Sequence, residues 1–494
     1  MKSTLVVQPD AETFRALASQ WPLVPVWTEL LADAATPVGV FSALAGSGPG
    51  VVLESVERSE RWGRYSFVAG NPAAVVTISA AGPRVDAVSR QLPFDPTGLP
   101  LAALPALESI AARLRTPRLP GLPPLTGGLV GYLGYEAAGL LDGAPHPEGG
   151  DRTPVAPICF LVLDRAVVFD HWRQRMLLVV HGTGSQGYDD SVDALHALLA
   201  QVSAAVPLPQ LPVSAADGVP EAVSNVDDAS FCAGVERAKQ HILAGDVFQV
   251  VLSRRLSVTT RAGGLSIYRR LRATNPAPYM FLLRLPGVEL AGSSPEPLVR
   301  VEGDRVLTRP IAGTRPRGRN PEADAALERE LLADPKERAE HAMLVDLARH
   351  DVGRVCRPGS VEVTELMTVE RFSRVMHIVS TVEGDLEAGR SALDALAAAF
   401  PAGTVTGAPK RRAMEIIAAE ERTARGPYAG AAGYLTFAGD LDFAITIRTA
   451  VIRGETVDVH AGAGIVADSD PALELAETTA KAAGVLSAVG AGAQ

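Results

Sequence analysis

Between residue 20 and about residue 200 the chain alternates short apolar, β-branched runs with turns: VVLESVE at 51–57, AAVVTISA at 73–80, LVLDRAVVF at 161–169 and MLLVVHG at 176–182. Runs of this length and composition, bounded by Gly, Pro or charge, predict strands. One segment there, LAALPALESIAARLR at 101–115, repeats its apolar positions at helical spacing instead. Residues 203–225, SAAVPLPQLPVSAADGVPEAVSN, lose all periodicity and read as a linker. Beyond it Asp228 is a candidate N-cap for a helix on which Phe231, Val235, Ala238 and Ile242 share a face. Strands are expected at 248–258, 279–285, 288–292, 305–312 and 375–384, and helices at 265–273 and 322–350. A helix to 399, a helix through 420, strands at 428–437, 441–452 and 456–466, and a helix at 471–488 complete the pattern. Strands and helices interleave without βαβ alternation, and no strand leads into GxGxxG, so a dinucleotide or P-loop fold has no support. The pattern predicts an α+β fold dominated by antiparallel sheet, in two regions, 1–205 and 226–494.

Composition narrows the class. A chain of 494 residues with 47% hydrophobic and 21% charged positions can bury a large core, which excludes disordered and fibrous classes. Lys and Arg number 46 against 56 Asp and Glu, a net charge of -10, so no basic field attracts phosphate backbones or anionic lipid. Nucleic acid is not an expected partner. The longest apolar stretches, such as ICFLVL at 158–163, fall far short of the roughly 20 residues that span a bilayer, and the N-terminus lacks an apolar signal segment. No membrane association is expected. Three scattered cysteines, Cys159, Cys232 and Cys356, form neither a disulfide framework nor a zinc site. The expected location is cytoplasmic.

Two helical segments repeat one device. In KERAEHAMLVDLARHD, Glu337 and Glu340 share a face with His341 beside them; in PALELAETTAKAA, Glu474, Glu477 and Lys481 do the same. Carboxylates from two helices suit a hard cation such as Mg²⁺, which takes one or two protein carboxylates, water and substrate oxygens. Either segment alone reads more readily as a solvated acidic face. A second signal is a set of small-residue loops, AGSSPEPL (291–298), RPIAGTRPRGR (309–319), PAGTVTGAPK (401–410) and HAGAGIV (460–466). Exposed amides there, with Arg315, Arg317, Lys410, Arg448 and Lys481, suit a small dicarboxylate. His377 is a lone histidine in an apolar strand, ordinarily a core residue.

The strings RPIAGTRPRG, KERAEHAMLVDL, RFSRVMHIVSTVEG, FPAGTVTGAPKRRAMEII and HAGAGIVADSDP resemble the chorismate-utilising family, most closely the anthranilate synthase component I branch, over essentially residues 50–490. The resemblance implies large, mostly antiparallel β-sheets flanked by helices and an Mg²⁺-dependent reaction on chorismate. It implies Mg²⁺ on Glu340 and Glu477, with Glu337 and Glu474 close by through water. It implies substrate contacts from Thr404, Tyr428, Arg448, the segment Gly462, Ala463 and Gly464, and Lys481, with Ser294 and Glu296 in a GSSPE-type loop. His377 matches the family histidine used in expelling pyruvate, and Glu337 and Thr404 join it in the catalytic set. His341 has a weaker claim, as a residue that orients the carboxylates.

Two positions bear on which reaction is run. Isochorismate and salicylate synthases resembling this chain carry a lysine base where Gln249 stands, and a neutral amide cannot abstract a proton. Aminodeoxychorismate synthases carry a nucleophilic lysine where Ala312 stands in PIAGT, and without that amine no covalent intermediate forms by that route. The resemblance then implies conversion of chorismate and ammonia to anthranilate and pyruvate. A synthase that stops at 2-amino-2-deoxyisochorismate, and a non-catalytic chorismate- or tryptophan-binding regulator, stay open. VLESVE with Leu53, Glu54 and Ser55, together with NPAPYMF carrying Asn275, Pro278, Tyr279 and Met280, resembles the L-tryptophan feedback site of this branch. No Cys/His glutaminase pattern is present, which implies a separate glutamine amidotransferase subunit as the ammonia source. Small departures from the family text are His350, His460 and TVTGAPK.

Overall fold

Two antiparallel sheets carry the molecule. The structure, a computed structural model, describes residues 5–55, 63–88, 92–145, 155–184, 187–211, 220–371 and 375–490. Part of the first expected strand (56–57), part of the linker (212–219) and positions 372–374 of RFSRVMHIVSTVEG lie outside the described residues. Among the described residues the sheets have 12 and 11 strands. Both draw on the two regions of the sequence. Gly50–Glu54 pairs with Tyr279–Leu285 in the larger sheet, with Glu54 opposite Met280. Gly128–Leu133 pairs with Ala431–Thr436 in the smaller, with Leu133 opposite Ala431.

The sheets face each other over one apolar layer. Val51, Phe67, Phe281 and Leu290 from the larger sheet meet Val75, Val130, Leu161 and Ala432 from the smaller. Helices Pro37–Ala45, Gly187–Ser203, Gly264–Thr274 and Pro471–Gly490 cover the outer face of the larger sheet. Ala103–Arg113 and Ala392–Ala399 cover that of the smaller. Each layer is therefore closed by burying one face of its neighbour.

Several expected elements divide. The run 161–169 belongs to two strands, Ile158–Leu163 in the smaller sheet and Arg165–Asp170 in the larger, separated at Asp164. The run 441–452 likewise divides into Leu441–Ile445 in the smaller sheet and Thr449–Arg453 in the larger. Strands buried on both faces show no alternation, so hydropathy does not register the corner where the chain changes sheet. The run 305–312 divides at Pro310, which lacks the ladder N–H. The helix expected over 322–350 is two helices, Pro321–Ala333 and Pro335–Gly353, because Asp334 caps the second and Pro335 opens it. Asp227 rather than Asp228 caps Asp228–Leu243, accepting from Ser230 N at 2.8 Å. In the first region Pro37–Ala45 and Gly187–Ser203 are helices that the strand pattern does not anticipate. Pro37–Ala45 is apolar nearly all round and shows no helical stripe.

Candidate active site

Corners between sheets place the central polar groups. Glu296 lies where the chain leaves Val288–Ser294 of the larger sheet for Pro297–Glu302 of the smaller. Arg448 lies where it returns from Leu441–Ile445 to Thr449–Arg453, with a left-handed φ of 50°. The two corners are stitched together: Ser293 N donates to Arg448 O (3.1 Å), Ile445 N to Glu296 O (3.0 Å), and Ser294 Oγ to Ile445 O (2.6 Å). Burial raises the Glu296 carboxyl above its usual range, against the Thr404 hydroxyl, which donates to it at 3.0 Å, and the charges of Lys481 and Arg448. Burial also works against the charged form of Arg448, while Glu296, Tyr428 and Glu477 favour it. Six of the expected residues thus lie within electrostatic reach of one another.

The strand Thr456–Ile465 forms one wall. Side chains two apart share a face, so His460, Gly462 and Gly464 look the same way and Ala463 the other. A Cβ at Gly462 would lie 2.5 Å from the Tyr428 hydroxyl oxygen, and one at Gly464 would lie 2.5 Å from Gln249 Nε2. Both positions need hydrogen in place of a side chain. The small-residue segments 460–466 and 309–319 are therefore largely strand, Thr456–Ile465 and Ile311–Pro316, rather than loops. Lys481 Nζ donates to Gly462 O at 3.0 Å and pairs with Glu477 at 2.6 Å. Gln249 Nε2 donates to Glu340 Oε1 at 3.2 Å.

The carboxylates of the two helices approach as expected. Burial raises the Glu340 carboxyl, its hydrogen bond from Gln249 opposes this, and the charges of Glu337 and Glu477 add to it. Burial raises Glu474 too, and Glu477 contributes. Glu474 Oε2 is buried with no hydrogen-bond partner. An orphaned oxygen and mutually repelling carboxylates fit a hard divalent cation, which would relieve both. Among the described residues no three His, Cys, Asp or Glu side chains converge as a complete metal cage.

Two of the five candidate cations, Arg317 and Lys410, are committed elsewhere, and a third, Arg315, holds the candidate carboxylate Glu337. Arg315 pairs with Glu330 (3.0 Å), Asp334 (2.9 Å) and Glu337 (3.1 Å), Arg317 with Asp324 (2.5 Å), and Lys410 with Asp351 (2.9 Å). Sequence supplies the sign of a charge but not its partner. His377 Nδ1 stands 3.1 Å from Gly313 O and 3.0 Å from Thr314 Oγ1. A carbonyl only accepts, so Nδ1 carries the proton and Nε2 is the basic nitrogen. Burial holds this imidazole below its ordinary pKa, the Gly313 carbonyl opposes that, and Arg448 reinforces it. His341 points away from the carboxylates: it is fully buried with Nε2 2.7 Å from Ser380 Oγ. Its expected role in orienting Glu337 and Glu340 finds no contact here.

Sequence reasoning passed over Arg425. Its buried guanidinium binds Glu421 (2.6 Å), Val405 O (2.7 Å) and Val251 O (2.8 Å), fixing the Thr404 turn against the strand that faces Gly464. No periodicity in ERTARGPYAG marks it.

A second cavity, of about 1270 Å³, opens between the sheets. Leu53, Glu54, Ser55, Pro278, Tyr279 and Met280 line it. Asn275 does not: it ends helix Gly264–Thr274, and its carbonyl accepts from Ser293 Oγ. Glu54 is held by the Tyr268 hydroxyl (2.6 Å) and Arg272 (2.8 Å), whereas Ser55 Oγ is buried without a partner.

Comparison with known proteins identifies the family. A family profile described as chorismate binding enzyme matches residues 83–487. Anthranilate synthase component 1 of Streptomyces coelicolor is 48% identical over 492 residues, covering 97% of this chain and 92% of that protein. The crystal structure of anthranilate synthase component I from Streptococcus pneumoniae superposes with a TM-score of 0.73 at 33% identity, covering 92% of this chain and 99% of that one. The menaquinone-specific isochorismate synthase of Escherichia coli shares the fold, with a TM-score of 0.70 at 21% identity over 97% and 98% of the two chains. The α+β reading holds, and the chain belongs to the chorismate-binding enzymes and, among them, to the anthranilate synthase component 1 family.

Proposed function

We propose that the chain is the synthase subunit that converts chorismate and ammonia to anthranilate, pyruvate and water. The observation that carries this reading is the juxtaposition of Arg448, Lys481 and the Gly462–Gly464 backbone with a neutral Gln249 rather than a lysine base. Cations and amides grip the two carboxylates of chorismate, and nothing at Gln249 activates water in place of ammonia. Tyr428 and Thr404 fix the ring beneath them. Glu340 and Glu477 would hold Mg²⁺, with Glu337 and Glu474 nearby; when bound, it neutralises the ring carboxylate and stabilises charge as the ring hydroxyl departs. His377, neutral and with Nε2 basic, would take the ring proton as pyruvate leaves and the ring becomes aromatic.

Ammonia comes from outside the chain. Burial pushes the Cys159 thiol up to about 12 and the Cys356 thiol to about 11, and the third thiol, Cys232, donates to Pro471 O at 3.6 Å and to no histidine among the described residues, so none of the three is set up as a glutaminase nucleophile. A glutamine amidotransferase subunit is the proposed partner, and L-tryptophan the proposed ligand of the second cavity. No described helix is long and apolar enough to cross a membrane.

The test mixes purified protein with chorismate, Mg²⁺ and ammonium at alkaline pH and follows anthranilate fluorescence with pyruvate release. Both signals should rise together and vanish with a chelator. Chorismate loss without fluorescence would favour an aminodeoxyisochorismate synthase, and no loss at all would favour a binding regulator.

A further inference from the structure

The wall strand Thr456–Ile465 turns three side-chain positions toward the site, and they are filled unequally. Gly464 makes room for the Gln249 amide and Gly462 for the Tyr428 hydroxyl, while position 460 is filled by an imidazole. That imidazole lies flat on Tyr428: the ring centroids are 5.1 Å apart and the planes 10° from parallel. His460 is only 8% exposed and its Nδ1 is buried with no hydrogen-bond partner, so that nitrogen does not explain its place. Its flat face does. Arg425 adds a second support, with its guanidinium 5.7 Å from the centre of the Tyr428 ring. Tyr428 has two torsions to fix, and the space left by the missing side chain of Gly462 bears only on where its oxygen ends.

Building on the proposed function, we propose that His460 is a positioning residue for chorismate: by stacking on Tyr428 it sets the plane of that ring, and hence the direction in which the phenol meets the substrate. Burial keeps the imidazole neutral and pushes the phenol up to about 12, so the phenol stays a donor across the working range. The stack needs a flat apolar surface and not a proton. His460 acts through Tyr428 alone.

The experiment is a double-mutant cycle on the full chain with chorismate, Mg²⁺ and ammonium. His460→Phe, which keeps the flat ring, should hold kcat/KM within about threefold of the parent. His460→Leu should raise the KM for chorismate about fivefold to tenfold while kcat changes little, the range expected for loss of one aromatic pair. In a Tyr428→Phe background the same His460→Leu change should add less than about twofold, because the hydroxyl it positions is already gone. Should His460→Leu lose its cooperative thermal transition, His460→Gln takes its place in the cycle. A full fivefold penalty that persists in the Tyr428→Phe background, or a His460→Phe enzyme as impaired as His460→Leu, would overturn the proposal. Parent protein that neither binds nor consumes chorismate would defeat the functional reading itself, whereas an active parent with an additive cycle defeats only the role of His460.

Discussion

A buried histidine resists taking up a proton, and this chain buries several. Burial holds His181 and His341 at about 4 and His460 at about 3. Their ordinary value is about 6.5, so the unfolded chain binds more protons than the folded one between that value and the folded pKa. Stability from each is whole above pH 6.5 and drains away as pH falls toward 4. His181 lies far from the catalytic groups, with Phe437 edge-on at 5.2 Å and Asp164 O 3.3 Å from Nδ1. Urea unfolding of the parent and of His181→Gln at pH 7 and pH 5 should show the gap between them narrowing by about 2 kcal/mol at the lower pH. A gap that stays constant would mean that His181 titrates normally in the folded state. The histidines also mark what single residues disclose. In sequence His377 is an imidazole in an apolar strand, while His341 stands beside Glu337 and Glu340 on an acidic helix and reads as their orienting group. Only the fold shows that one meets Gly313 O beside Arg448 and the other Ser380 under a helix.

At the scale of elements, the helices of the second region and most strand interiors were legible, while their breaks and the helices Pro37–Ala45 and Gly187–Ser203 were not. Carboxylates at helical spacing identified the two acidic faces before any coordinates, since 3.6-residue periodicity is a property of the sequence. The corners carrying Glu296 and Arg448 left no hydropathic trace, because both flanking strands are buried. The glycines of the wall strand were read as anion-binding loop residues, while their structural demand is space for two neighbours. That demand yields a test. Gly464→Ala should press its methyl against Gln249 Nε2 and displace the amide from Glu340. Losing such a supporting contact typically costs about 10-fold to 100-fold in metal affinity, so the Mg²⁺ concentration for half-maximal activity should rise by at least about tenfold. Saturating Mg²⁺ should restore much of the rate. An unchanged Mg²⁺ midpoint would show that Gln249 does not position Glu340.

Across the whole molecule, the two sheets connect the second cavity to the catalytic corners. Neither region owns that cavity: Leu53–Ser55 come from the first and Pro278–Met280 from the second, joined by the pairing of Glu54 with Met280. Such shared sheets were not legible as an interface, because strand pairing between distant segments depends on register and not on local pattern. From the cavity, the Tyr279 hydroxyl donates to Asp442 at 3.0 Å. Asp442 lies on Leu441–Ile445, and that strand ends where Ile445 N donates to Glu296 O and the chain turns to Arg448. A ligand that prefers one spacing of the sheets therefore biases the chorismate groups as well, and the coupling must be reciprocal. Tryptophan should weaken chorismate binding by some factor within about 5-fold to 150-fold, and chorismate should weaken tryptophan binding by the same factor. Ser55, whose buried hydroxyl has no hydrogen-bond partner, is the place to separate the two sites. Ser55→Phe should fill the slot, leave the chorismate KM within about twofold and raise the tryptophan needed for half inhibition at least tenfold, as inhibition assays at fixed chorismate would show. Met280→Thr should act the same way more weakly, since it removes apolar lining without blocking the slot. If both variants keep the parent's inhibition curve, the cavity is not the feedback site and the Tyr279–Asp442 connection carries no regulation.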